Sequence, residues 1–497
     1  MSVKKLLLGY DVGSSSVKAS LLDTETGEVA ASAQSPEVEM KMDAPQIGWA
    51  EQHPDLWWEN LVKATHKLHA KLSGTQYEVE AIGISYQMHG LVVVDKDQNV
   101  LHPSIIWCDS RAVEIGDKAF NEMGQEYCLA NFLNSPGNFT ASKLKWIKEN
   151  QPAIYEKVDK AMLPGDYIAM RLTGEICTTA SGLSEGIFWN FKEDRIADEL
   201  LKHYGIDSSL LPNVVPTFSS QGKVTEAAAK ELGLQPGIEV AYRAGDQPNN
   251  AFSLNVLNKG EIATTAGTSG VVYGITDLNA YDKESRVNAF AHVNYTSENP
   301  LKGVLLCING TGILFNWLKN EMLAGKYDYP ELNDLAAKTP VGAEGLFAFP
   351  YGNGAERSLS NKDVKAQFTG INFNRHTKEH MIRSAQEGIV FAFNYGVEIM
   401  KDMGIDVNLV RAGDANMFLS PLFTEAFADT CNVDIEIYNT DGSVGAARGA
   451  GVGAGVYKSF DEAFGSLKVV RQISPSDKKS QYVETYGKWK EQLLKLL

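Results

Sequence analysis

The chain has 497 residues, 44% hydrophobic and 22% charged, a balance that provides sizeable cores and excludes the disordered and fibrous classes. At roughly 100–200 residues per domain, this length predicts more than one domain. Lys and Arg number 46 against 62 Asp and Glu, a formal net charge of −16. That field is unsuited to nucleic acid, yet it leaves room for a local anion site built from backbone amides.

Lys4 and Lys5 precede Leu6-Leu7-Leu8, but the run meets Gly9, Tyr10 and Asp11 too soon for a signal-peptide core. Residues 5–13 read as a strand ending in Gly and Ser, 17–23 alternate, Thr24-Glu25-Thr26-Gly27 turns, and 29–34 resume an extended pattern. The opening therefore predicts an antiparallel meander. Residues 55–72 carry helical spacing through Leu56, Trp57, Leu61, Ala64, Leu68 and Leu72. Residues 81–85 read as a buried strand running into Gln87-Met88-His89-Gly90. Helical segments then dominate to about residue 235, interrupted by polar turns such as Leu163-Pro164-Gly165-Asp166.

Near residue 240 the pattern restarts. Residues 239–243 and 260–265 read as strands, the second entering Gly267-Thr268-Ser269-Gly270, with 271–274 as the next strand. This strand, small-residue turn, strand unit repeats that of residues 6–22 and predicts a weak internal repeat. Residues 310–322 read as a helix, 380–400 as a long amphipathic helix and 484–496 as a closing helix. A strand over 409–411 enters the turn Ala412-Gly413-Asp414-Ala415, and the Gly- and Ala-rich stretch 443–457 permits close helix packing. No low-complexity linker stands out, so two halves are expected to meet across a cleft. No run approaches the apolar length of a membrane span, and the five scattered cysteines (Cys108, Cys128, Cys177, Cys307, Cys431) read as reduced, buried thiols. A cytoplasmic protein is expected.

Five segments can carry chemistry. In Asp11-Val12-Gly13-Ser14-Ser15-Ser16-Val17-Lys18, a strand-end carboxylate beside a Gly/Ser turn offers amides and hydroxyls to phosphate and a place for hydrated Mg²⁺. This is not the Walker A pattern, and the plain alternative is a hairpin turn capped by Asp11. Thr264 to Gly270 nearly copies it, and two such hairpins, one in each half, can hold one polyphosphate between them. Asp246, after Gly245 at a strand-to-helix junction, can accept a proton from a substrate hydroxyl or simply cap the helix. Gln87-Met88-His89 and Trp107-Cys108-Asp109-Ser110-Arg111 offer a polyol a hydrogen-bonding His and apolar faces from Met88 and Trp107, or else serve the core. Finally, Arg411-Ala412-Gly413-Asp414-Ala415-Asn416 admits close approach of a base or ribose, or is only a tight turn. Glu356 and Arg357 either line the cleft or, the favoured reading, have a salt-bridged structural role.

Together these motifs resemble the FGGY carbohydrate kinases and, within them, the xylulose kinases. The resemblance rests on the opening Gly9 to Lys18, on Gln87 to Gly90 with Trp107 to Arg111, on Phe139-Thr140-Ala141-Ser142-Lys143-Leu144-Lys145-Trp146 and on Ala366 to Ile371 continuing into His380-Met381 and Ser384 to Gly388. The second Gly/Thr/Ser loop and Gly245-Asp246 follow in the expected order. Xylulose kinases usually carry Gly-Asp-Asn where this chain has Gly245-Asp246-Gln247, a form commoner in glycerol and hexonate kinases; the turn at 412–415 also departs from the usual Gly-rich form.

The resemblance implies an α/β fold of two ribonuclease H-like, actin-like ATPase domains flanking a central cleft, here expected over residues 1–244 and 245–497. It implies ATP and Mg²⁺ and phosphorylation of a ketopentose, D-xylulose at O5. The alternatives are L-ribulose, L-fuculose, gluconate or glycerol as acceptor, or a non-catalytic sugar- and nucleotide-binding protein. Asp246 matches the catalytic base and Asp11 the carboxylate associated with the metal. Gln87, Met88, His89, Trp107, Asp246 and Gln247 fall in the sugar segments; Gly13, Ser14, Ser15, Lys18, Gly267, Thr268 and Ser269 in the phosphate loops; Gly413, Asp414 and Asn416 in the adenosine segment. The implied partners are a small-molecule sugar and ATP, with no nucleic acid and no membrane, and homodimers are common in the family.

Overall fold

The computed structural model describes residues 3–497, which form two packed units, each discontinuous in sequence. Unit one takes the chain up to Asn255 together with Phe290–Lys302 and Thr440–Leu467. Unit two takes Val256–Ala289, Gly303–Asn439 and Lys468–Leu497.

In unit one the meander forms as read: β1 (Lys4–Val12), β2 (Val17–Asp23) and β3 (Val29–Ser35) pair antiparallel in turn. The other edge of β1 takes β4 (Tyr77–Tyr86) in parallel, and β5 (Glu239–Gly245) pairs in parallel beyond it, giving the order β5-β4-β1-β2-β3. β1 is apolar on both faces because both are covered. On one side the Pro54–Lys71 helix packs Trp57, Leu61, Ala64 and Leu68 onto the sheet, and Tyr10 reaches across to Thr65 (2.7 Å). On the other lies the Gly442–Gly453 helix. A Cβ on Gly9 would fall 1.9 Å from Ser443 O, and one on Gly83 2.0 Å from Ala446 O. Glycine at these two strand positions is what lets the helix backbone rest on the sheet.

In unit two, β6 (Glu261–Ala266) and β7 (Gly270–Thr276) form the second hairpin. They lie in a seven-stranded sheet with β8 (Lys302–Ile308), β9 (Leu409–Gly413) and β10 (Asp434–Tyr438). The inner order, β8-β7-β6-β9-β10, repeats that of unit one strand for strand, with β6 parallel to β9 and β9 parallel to β10. The internal repeat is therefore a repeated topology, the ribonuclease H-like arrangement of actin-like ATPase domains. Behind this sheet the long helix spans Lys378–Asp402, and the closing helix spans Lys479–Leu496. The helix expected over 310–322 is an α-helix, Gly312–Trp317, continued by a π-helical turn, Leu318–Met322.

Three local readings are corrected. Leu163 to Asp166 is a helix start and not a turn: Pro164 opens the Pro164–Thr173 helix, where its missing N–H costs nothing, and Asp166 accepts from Leu163 N (3.1 Å). All five cysteines are free thiols, but Cys108 and Cys307 are exposed, leaving Cys128, Cys177 and Cys431 buried. Glu356 and Arg357 do not pair with each other: Glu356 accepts from Asn309 N (2.8 Å), and Arg357 donates to Ser285 O (2.8 Å). Both bonds tie down loops, so the role is structural without the ion pair. Among the described residues no helix is long and apolar enough to cross a membrane.

Candidate active site

Strand register assembles the site. Asp11 of β1 lies opposite Ser85 of β4, and Ser85 opposite Ala244 of β5. Gln87, just past β4, and Asp246, just past β5, therefore emerge together at the carboxyl ends of parallel strands, where α/β sheets collect ligand-binding loops. With Asp11, Gly13, Ser14, Ser15, Ser16, Lys18 and Trp107 they line one cavity of about 300 Å³.

The Asp11 carboxylate accepts from Ser85 Oγ (2.8 Å), and its Oδ2 lies 2.5 Å from where Gly442 would carry a Cβ. Desolvation pushes this carboxyl above the usual range; the Ser85 bond opposes the shift, the charge of Asp441 adds to it and Lys18 opposes it. Asp246 is the first residue of the Asp246–Ser253 helix, with Gly245 as N-cap, and its carboxyl bonds the Gln247 amide that follows, as the capping alternative expects. Desolvation, and then the charge of Asp11, push the Asp246 carboxyl up to about 7, against hydrogen bonds from the Gln247 backbone and side chain. The charge of Asp11 thus disfavours the ionised form of Asp246.

Gln87 is buried, yet neither atom of its side-chain amide has a hydrogen-bond partner among the described residues. An amide left unpaired at a cavity wall is available to a ligand. Trp107 is half exposed, and its indole N–H donates to Ser14 Oγ (3.3 Å), joining the sugar segment to the first loop. Its neighbours are structural. Asp109 is fully buried and accepts from Ala50 N (2.6 Å) and Arg111 Nη2 (2.7 Å). The Arg111 guanidinium lies 3.8 Å from the Trp49 ring centre and 4.8 Å from that of Trp146.

Met88 and His89 fall outside the lining of this cavity. The Met88 side chain packs against Gly245, its Cγ 2.6 Å from where a Cβ would stand. His89 sits at φ 63°, with Nδ1 2.9 Å from Glu185 O and its ring edge-on to Phe139 at 4.8 Å.

In unit two the second loop is tied to the start of the Gly312–Trp317 helix. Gly267 O accepts from Thr311 Oγ1 (3.0 Å) and Gly312 N (2.9 Å), and Thr268 O from Thr311 Oγ1 and Ile313 N (both 3.1 Å). The 412–416 turn meets this loop: Asn416, at φ 55°, places Nδ2 3.6 Å from where Gly267 would carry a Cβ. Asp414 is occupied locally, its carboxylate taking Arg471 Nη2 (2.8 Å) and its N–H donating to Tyr438 O (2.9 Å). Gly413 ends β9 opposite Tyr438.

Sequence reasoning assigned no role to Ser85, Lys143, Glu185 or Asp441. Lys143 is fully buried and donates to His89 O (2.8 Å) and Ile106 O (3.0 Å), stapling the two sugar segments together. Burial pulls its ammonium down to about 7, against the charge of Asp109. A lysine inside the Phe139 to Trp146 segment was the available signal; nothing in the local sequence marks Glu185. Among the described residues no group of three or more His, Cys, Asp or Glu side chains is placed to hold a metal ion by itself.

Comparison with known proteins identifies the family. Residues 6–253 match the N-terminal domain of the FGGY family of carbohydrate kinases, and residues 262–454 match its C-terminal domain. The chain is 28% identical to a xylulose kinase of Staphylococcus xylosus over 465 residues, 92% of each chain. Against the xylulose kinase of Escherichia coli strain K12 it is 28% identical over 506 residues, 99% of this chain and 100% of the other. The crystal structure of xylulose kinase from Rhodospirillum rubrum superimposes with a TM-score of 0.88 at 26% identity, covering 99% of both chains.

Proposed function

The chain belongs to the FGGY family of carbohydrate kinases, and from that premise we propose that it transfers the γ-phosphoryl group of ATP to the terminal hydroxyl of a ketopentose, D-xylulose at O5. The observation that carries this reading is the single cavity in which Asp246, the unpartnered Gln87 amide and the Trp107 face adjoin the Gly13–Ser16 turn and Asp11. Polyol-binding groups, a proton acceptor and a phosphate loop then share one space. The xylulose kinases among its relatives support the choice of sugar.

Phosphoryl transfer asks the protein mainly for positioning and charge neutralisation. Gln87 and the Trp107 face hold the sugar so that its terminal hydroxyl points at Asp246. Asp246, kept in its first helical turn by the Gln247 bonds, takes the hydroxyl proton as the new O–P bond forms. The turn amides and the Ser14 and Ser15 hydroxyls, with Lys18, hold phosphate oxygens. Asp11 suits Mg²⁺: its carboxylate oxygens are hard donors, anchored by Ser85 beside the phosphate turn, and Mg²⁺ is commonly held by one or two carboxylates plus substrate phosphates. When bound, the ion neutralises charge on the transferring group.

A coupled ADP-release assay over ketoses, polyols and aldonates tests the reading. D-xylulose should give the highest kcat/KM, with sugar-independent release at least about 100-fold slower. An aldonate or glycerol as the best substrate would overturn it.

The raised acid also predicts a pH profile. A base must be ionised to accept a proton, and Asp246 protonates below about 7. In the free enzyme kcat/KM for the sugar should therefore fall about tenfold per pH unit below that value and level off above it. A profile flat down to pH 5 would exclude Asp246 as the base.

A further inference from the structure

One carboxyl beside this site has no role in the steps above. Glu185 ends the short Ala180–Glu185 helix, whose Thr179 N-cap accepts from Gly182 N (3.0 Å), and it is 1% exposed. Its Oε2 stands 2.5 Å from where Gly245 would carry a Cβ, and Met88 Cγ stands 2.6 Å from the same point. The absent Gly245 side chain thus opens the space in which Glu185 and Met88 meet, one residue before Asp246. The main-chain oxygen of Glu185 is held against His89 Nδ1 (2.9 Å). Two residues of the sugar segments, Met88 and His89, therefore lie against this one acid.

Among the described residues no cation forms an ion pair with it, although the Lys143 charge acts on it. Lys143 spends its hydrogen bonds on His89 O and Ile106 O, and Arg243 is ion-paired with Asp166 (2.9 Å). The Tyr86 hydroxyl hydrogen-bonds the carboxyl, while Glu185 Oε1 is buried with no hydrogen-bond partner among the described residues. Burial, with the charges of Asp246 and Asp166, pushes the Glu185 carboxyl well above the carboxylate range, against the Tyr86 bond and the charge of Lys143. An orphaned polar atom in such a place is costly unless a ligand completes it.

We propose that Glu185 is a specificity-determining residue of the acceptor site, its free carboxyl oxygen pairing with a sugar hydroxyl other than the one phosphorylated. The inference rests on the ketopentose kinase reading and names a further point at which that sugar is read. A site that hydrogen-bonds a hydroxyl rejects the analogue lacking it, because the protein group is then left unpaired.

The test uses the full chain, ATP, D-xylulose and its monodeoxy analogues in the ADP-release assay, with Glu185→Ala and the shape-conserving Glu185→Gln. The wild type should discriminate roughly 10- to 100-fold against one deoxy analogue at a carbon distant from the phosphorylated hydroxyl. In Glu185→Ala that discrimination should collapse for the same analogue alone, with KM for ATP unchanged. Glu185→Gln should shift the ratio for that analogue and leave the others. Equal losses on every acceptor in both variants would mean a purely structural role and would overturn the proposal, as would unchanged ratios. A wild type that prefers a different polyol would instead refute the choice of sugar, and the same deletion scan on that polyol would still decide the role of Glu185.

Discussion

Replacing Asp246 with Ala should lower kcat by about 10²–10⁴-fold, the range expected when a positioned general base is lost. Asp246→Asn should fall nearly as far, because an amide keeps the shape and the Gln247 contacts but cannot take the proton. Binding should persist in both: the Gly13–Ser16 turn, Gln87 and Trp107 are untouched, so sugar and nucleotide should still titrate by calorimetry. Loss of turnover with binding retained separates a proton acceptor from a group that merely shapes the cavity. Near-normal turnover in either variant would move the base elsewhere, and Asp11, coupled to Asp246 by charge, would be the next residue to substitute.

The second large effect lies behind the site. Arg243, on β5, and Asp166, in the first turn of the Pro164–Thr173 helix, form an ion pair at 2.9 Å with both side chains essentially inaccessible. Arg243 also donates to Cys177 O (2.7 Å). Asp166→Ala leaves a guanidinium buried without its counter-charge, which typically costs about 3–5 kcal/mol. The first unfolding transition in urea should shift accordingly. The double variant Asp166→Leu with Arg243→Met should recover most of the loss, since replacing a whole buried pair with apolar side chains is often close to neutral. A single-variant loss under about 1 kcal/mol would mean that water or rearrangement reaches the guanidinium. β5 delivers Gly245 and Asp246 to the cavity, so a stable but displaced strand would show as lost activity without lost stability.

How much of this was legible depended on whether the cause was local. The two hairpins were readable because strand alternation and the Gly/Ser turns that join the strands sit within a few residues of each other. The strand-to-helix junction at Asp246 was readable from the apolar run ending in Gly245, while the choice between base and cap came from the family resemblance and not from those residues alone. Proline at 164 misled the reading: the same residue that breaks a helix interior is favoured at its first position, and only the packed helix decides between the two. Exposure of Cys108 and Cys307 likewise depends on what covers them. The burial of Glu185 and Lys143 close to the sugar segments was invisible in the sequence, because burial beside particular partners is a property of the assembled chain that no short window carries. His89 was noticed for the right neighbourhood, while its Nδ1 contact with Glu185 O and its packing on Phe139 emerged only in three dimensions.

The Gly442–Gly453 helix has a consequence for biogenesis. It belongs to unit one and covers the sheet at Gly9 and Gly83, yet it is encoded after most of unit two. At ~5–20 residues per second, a ribosome finishes the opening meander tens of seconds before it makes that cover. The face of the N-terminal sheet at Gly9 and Gly83 has no native cover until residues 442–453 are made.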